Sequence, residues 1–183
     1  MSRRRFLIPV SVFLVVALGV GLYLFQPWRL LTVRETHEAL LVPPVSSSQV
    51  VPSLTPESVS SSAPPVVEET PREVATGEWR SLEHTTTGKA SLVRLPGGAH
   101  SVQFAALNTS DGPDLYVYLS PHPSGSSEKT FGQGFTSLGK LKGNRGDQVY
   151  EIPAEVDVST IRSVVIWCKR FSAGFAVAPL EQA

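Results

Sequence analysis

The chain of 183 residues has a single cysteine, Cys168, and no excess of either charge, with 16 Lys+Arg against 16 Asp+Glu. One thiol excludes an intramolecular disulfide and cannot supply the paired thiolates of a structural zinc site. Balanced charge leaves no broad electropositive field, which argues against a nucleic-acid partner. Catalytic signatures are missing too. No GxSxG elbow occurs, and Ser, His and Asp are too plentiful to mark a triad. Gly132-Gln133-Gly134 begins a glycine-loop pattern, but Ser137 stands at the third glycine position and a strand pattern comes after it, so a dinucleotide loop is excluded. The four histidines, His37, His84, His100 and His122, lack short ligand spacing, and no dedicated metal site is expected. The absence of CxxCH excludes covalently attached c-type haem.

Apolar residues are instead concentrated near the start. Phe6 to Phe25 reads FLIPVSVFLVVALGVGLYLF without a charge, about 30 Å of helix and enough to span a bilayer. Arg3, Arg4 and Arg5 precede it, and Tyr23 and Trp28 mark its far end. The positive-inside rule then predicts a single-pass anchor in the cell membrane, with residues 1–5 cytoplasmic, 6–25 in lipid and the remainder outside. A cleaved secretory signal is the rival, but its apolar stretch is usually shorter, about 7 to 15 residues. Either one exports the rest of the chain.

Residues 26–76 read as a juxtamembrane segment and linker. Arg34 to Leu41 (RETHEALL) is either a short extension of the helix or a short surface helix. From Val42 to Ala75 the chain is dominated by Ser, Pro, Val, Thr and Glu with no aromatic residue, which predicts a disordered tether that lets the domain swing. As a ligand for a Pro-binding module it lacks a basic-flanked PxxP.

The core must lie in residues 77–183. Short apolar runs separated by turn residues predict an all-β antiparallel sandwich of about eight strands. Leu115, Val117 and Leu119 share one face of their strand while Tyr116 and Tyr118 take the other; Val102, Phe104 and Ala106 repeat the period. Leu95-Pro96-Gly97-Gly98 and Gly143-Asn144-Arg145-Gly146 each read as a tight hairpin, and Asp111-Gly112-Pro113-Asp114 as a turn. Asp157 to Ile161 is the only helical candidate. Ser120 to Gly134 is a polar loop, either a binding element or merely mobile. Asn108-Thr109-Ser110 is either a glycosylation acceptor or a polar turn.

Alternation along SVVIWCK puts Val164, Ile166 and Cys168 on the inward face. A buried thiol is usually an inert small hydrophobe, and then Cys168→Ser should cost more than Cys168→Ala. Lys169 and Arg170 come directly after it and would lower the thiol pKa if the strand ends at the rim.

Gly88-Lys89-Ala90, Gly112 to Leu119 (GPDLYVYL), Leu138 to Gly143 (LGKLKG), Gln148 to Pro153 (QVYEIP) and Ser163 to Cys168 (SVVIWC) occur in the order of the DM-thirteen domain. The stretch from Gly77 to Leu180 resembles that electron-transfer domain, often found beside DOMON domains. The resemblance implies an extracytoplasmic β-sandwich whose cysteine, here Cys168, acts as a redox thiol or ligates a prosthetic group such as noncovalent haem. His84 also resembles a family position. No DOMON domain is present, which puts an intramolecular relay in doubt. The expectation is a membrane-tethered redox or electron-transfer module, held by membrane lipid and served by a redox partner protein outside the membrane. The alternative is a non-enzymatic cell-envelope binding module in which Cys168 is only structural. A stand-alone enzyme is a weaker reading than either.

Overall fold

The computed structural model describes residues 3–43 and 70–180. Most of the Pro/Ser-rich stretch, and with it the expected disorder, lies outside them. Helix α1 (Arg3–Phe25) is long and apolar enough to cross a membrane, and none of its apolar window from Val12 is buried against the rest of the chain. It stops where Gln26 takes a left-handed φ of 44° and Pro27 opens a 3-10 turn, Pro27–Leu31, because a residue before proline is pushed out of the helical region.

Ten strands follow among the described residues: β1 (Glu35–His37), β2 (Arg72–Glu78), β3 (Arg80–Ser81), β4 (Thr87–Arg94), β5 (His100–Asn108), β6 (Leu115–Ser120), β7 (Thr136–Lys140), β8 (Arg145–Ile152), β9 (Ser163–Cys168) and β10 (Ala173–Pro179). They form two five-stranded sheets ordered β1-β8-β5-β4-β2 and β3-β10-β9-β6-β7. Every pairing is antiparallel except β1 with β8. The expected sandwich of about eight strands is thus present, with β1 and β2 added.

Between the sheets, Leu92, Val102, Phe104 and Tyr150 pack against Leu115, Val117, Leu119, Val164, Ile166 and Cys168. The period of two places these side chains as expected in β6 and β9. It breaks in β5 at Ala106, which has φ 50°, so that Leu107 turns inward across a register shift. This is a bulge. Gly88 lies opposite with φ 106°, and a Cβ there would come within 2.6 Å of the Ala106 carbonyl oxygen.

Two sequence expectations are corrected. Gly143 to Gly146 joins β7 to β8, which belong to different sheets, so it is a crossover and not a hairpin. Arg34 to Leu41 is not helical: it contains β1, an edge strand on β8. The sandwich also takes in residues before Gly77: β2 starts at Arg72, and residues 34–42 are fastened to it. The Leu41 and Val42 N–H groups donate to Gln103 Oε1 at 3.0 and 3.1 Å, and Gln103 Nε2 donates to the Val42 carbonyl at 2.7 Å. The Val149 N–H and Lys142 Nζ both donate to Glu38 Oε2, at 2.7 and 2.8 Å. Gly143 and Gly146 make room for this strap, because a Cβ on either would run into Thr36.

Candidate functional site

Cys168 closes β9 and pairs with Leu115 on one side and Ala173 on the other. Its side chain is wholly buried in the inter-sheet core. Burial pushes the thiol pKa up from its ordinary value, and the nearby Asp114 carboxylate adds to this; backbone hydrogen bonds from Phe171, Arg170 and Asp114 pull the other way. Burial wins. The fold therefore keeps this sulfur protonated. The two cations after it do not help ionise it. Lys169 Nζ lies 5.4 Å from the Tyr116 ring centre, and Arg170 Nη1 donates to the Leu24 carbonyl at 2.6 Å. The expected cationic rim is therefore directed away from the thiol.

His84 sits at the same end. Its own N–H and that of Leu82 point to the Phe175 carbonyl, and Thr86 Oγ1 donates to the His84 carbonyl at 3.0 Å. This fixes the imidazole against the Phe175 ring, centres 3.8 Å apart. Burial lowers its pKa, with Glu83 opposing, so the ring is neutral near pH 7. Among the described residues neither ring nitrogen has a hydrogen-bond partner. Phe175 belongs with Cys168 to the same core. No hydrogen bond joins His84 to Cys168.

A cavity of about 360 Å³ opens beside His84, between the end of α1 and the sandwich; its walls include Phe25, Pro27, Pro113, Phe171 and Phe175. Phe25 and Phe171 stack with centres 6.0 Å apart. Asp111, buried to 2% exposure, organises the polar side. It accepts hydrogen bonds from Arg34 Nη2 at 2.9 Å, Thr32 Oγ1 at 2.7 Å and the Gly112 N–H at 2.9 Å. Arg29 Nη1 donates to the Gly112 carbonyl at 3.2 Å. Sequence reasoning passed over this cluster, since a turn aspartate carries no local sign of a partner 77 positions upstream.

The arrangement does not fit a thiolate-ligated prosthetic group. Cys168 is absent from the cavity walls and its sulfur is enclosed by protein on every side. Among the described residues no three His, Cys, Asp or Glu side chains gather into a metal-binding group. His122 and His100 lie elsewhere, His122 in the loop after β6 and His100 opening β5; His37 ends β1.

Beyond the core, the loop from Ser120 to Gly134 is folded onto the outer face of the second sheet. Phe131 is fully buried there with Tyr118, Val165, Trp167 and Val177. Tyr118 stacks on Phe135 with centres 3.7 Å apart. Tyr116 and Tyr118 therefore face neither the opposite sheet nor open solvent in full.

A family model described as electron transfer DM13 matches residues 78–180, more than half of the chain. No curated protein and no solved structure matches.

Proposed function

The chain belongs to the electron-transfer DM13 family, and from that premise we infer a membrane-tethered module that exchanges electrons outside the membrane through Cys168. The assignment to Cys168 is carried by its being the one thiol of the chain, set in the inter-sheet core at the end of β9 within the matched segment. In the proposed step one electron leaves the thiol for a one-electron oxidant on a partner protein, and the thiol proton passes with it to a base on the same partner. The reverse transfer restores the thiol. The step runs between the thiol and the partner alone. Arg3 to Arg5 and the apolar α1 support the tether and its orientation.

The experiment uses the full chain in detergent with ferricyanide as oxidant. Wild type should consume one electron per chain, and Cys168→Ala should consume none while remaining folded in the absence of urea. Equal consumption by both would remove Cys168 from the role. Full burial favours a second reading, a binding module in which Cys168 only packs. That reading gains if native Cys168 ignores both ferricyanide and a small thiol reagent until the chain unfolds. Orientation is tested by protease on intact cells: loss of the domain is expected, and full protection would reverse the topology.

A further inference from the structure

The cavity beside His84 has a chemistry that Cys168 does not explain. Its walls are aromatic and prolyl rings, flat apolar faces suited to a planar molecule. Charges around it are already engaged, Asp111 by Arg34 and Thr32, and Arg29 by the Gly112 carbonyl. A charged ligand would have to break those contacts, whereas a neutral one would not. The imidazole of His84 supplies the missing polar element, one N–H donor and one acceptor without a protein partner among the described residues. The volume falls at the lower end of the range for small-molecule sites, about 300 to 1,000 Å³. The cavity also adjoins the helix. Phe25 is both a cavity wall and the last residue of α1, so an apolar tail leaving the cavity can run along the unburied side chains of the helix.

We propose that this cavity binds the head of a neutral, lipid-soluble quinone, with His84 donating a hydrogen bond to one quinone carbonyl. The inference rests on reading α1 as a membrane span in an electron-transfer protein, and it deepens that reading by naming a ligand class. A quinone combines the features these walls select: a planar head, carbonyl acceptors, no charge and an apolar tail.

The test inserts the full chain into phosphatidylcholine nanodiscs and titrates a benzoquinone with one isoprenoid unit, read by quenching of tryptophan fluorescence. Saturable quenching is expected. His84→Leu should raise the midpoint about tenfold, the loss of one hydrogen bond to the ligand, and His84→Gln, which keeps a donor, should restore most of the affinity. Quenching that rises linearly without saturation, as partition into lipid gives, overturns the proposal. So does a midpoint unchanged in His84→Leu, or saturation abolished by lysophospholipid at concentrations that leave the bilayer intact, which would assign the cavity to a lipid tail. Because binding is read directly, a failure of Cys168 to exchange electrons does not disturb the result. A chain that fails to enter nanodiscs overturns the quinone site and the membrane reading together.

Discussion

At Cys168 burial decides what a substitution costs. The side chain is wholly enclosed in the inter-sheet core, so Cys168→Ala should lose about 1 kcal/mol by urea unfolding through lost packing, and Cys168→Ser should lose more by burying a hydroxyl. A smaller loss in serine than in alanine would show that backbone donors receive the oxygen. Titration gives a second check. The raised Cys168 pKa means its contribution is complete below the ordinary value of 9.0 and is lost as pH climbs from there through the folded value. Tyr118 and Tyr150 are raised by burial as well and steepen that alkaline loss. His84 and His100 are lowered, chiefly by burial, so their contribution is complete above 6.5 and is lost as pH falls through their folded values. Stability should be flat between about pH 6.5 and 9 and fall on both sides, with a shallower acid limb in His84→Leu. A urea midpoint still rising across pH 7 to 9 would contradict these directions. The inward direction of Cys168 was legible in its strand, because alternation needs only its neighbours. The direction of Lys169 and Arg170 was not, since it depends on a turn that folds them toward Tyr116 and Leu24.

Strands with two contrasting faces were the most legible elements, and β6 and β9 keep to their sequence pattern throughout the core. The short or charged ones were hidden. β1 has three residues, and β2 reads REVATGE, with Ala75 as its one buried side chain; each is an edge strand stabilised by backbone pairing, which composition does not reveal. The loop between β6 and β7 was hidden by its polarity. Phe131 is the anchor of its path: it enters the outer cluster, while Glu128 Oε1 accepts the Gly174 N–H at 2.8 Å and a Cβ on Gly132 would come within 3.0 Å of Trp167. Removing that anchor tests whether the loop is part of the fold. Phe131→Ala should cost about 3 to 5 kcal/mol, with Trp167 emission shifted to the red as water reaches the outer face. A loss under about 1 kcal/mol with unchanged emission would mean that the loop lies loosely on the sheet.

At the scale of the whole molecule, the strap changes what joins the domain to α1. The matched family segment begins at residue 78, yet Arg34 to Val42 is bound to Asp111, Asn144, Gln103 and β8. Residues 44–69 therefore connect two parts of one folded unit, and only the few residues after Phe25 separate that unit from the helix. A nested series of fragments tests this. Residues 32–183 should be more stable than 70–183 by on the order of 3 to 5 kcal/mol, the sum of several modest hydrogen bonds and two to the Asp111 carboxylate, discounted because water replaces the strap when it is missing. Residues 78–183 should be weaker again, since the loss of β2 uncovers β4, whose Ala90 and Leu92 belong to the core. Gly146→Ala adds an internal control. Its φ of 94° strains any side chain in every fragment, but the collision with the Thr36 carbonyl exists only where β1 is present. The substitution should then cost more in 32–183 than in 70–183, and the difference measures the contact itself. Equal stability of those two fragments, together with an equal cost of Gly146→Ala in both, would mean that the strap is not held and that the domain hangs from the Pro/Ser-rich stretch after all.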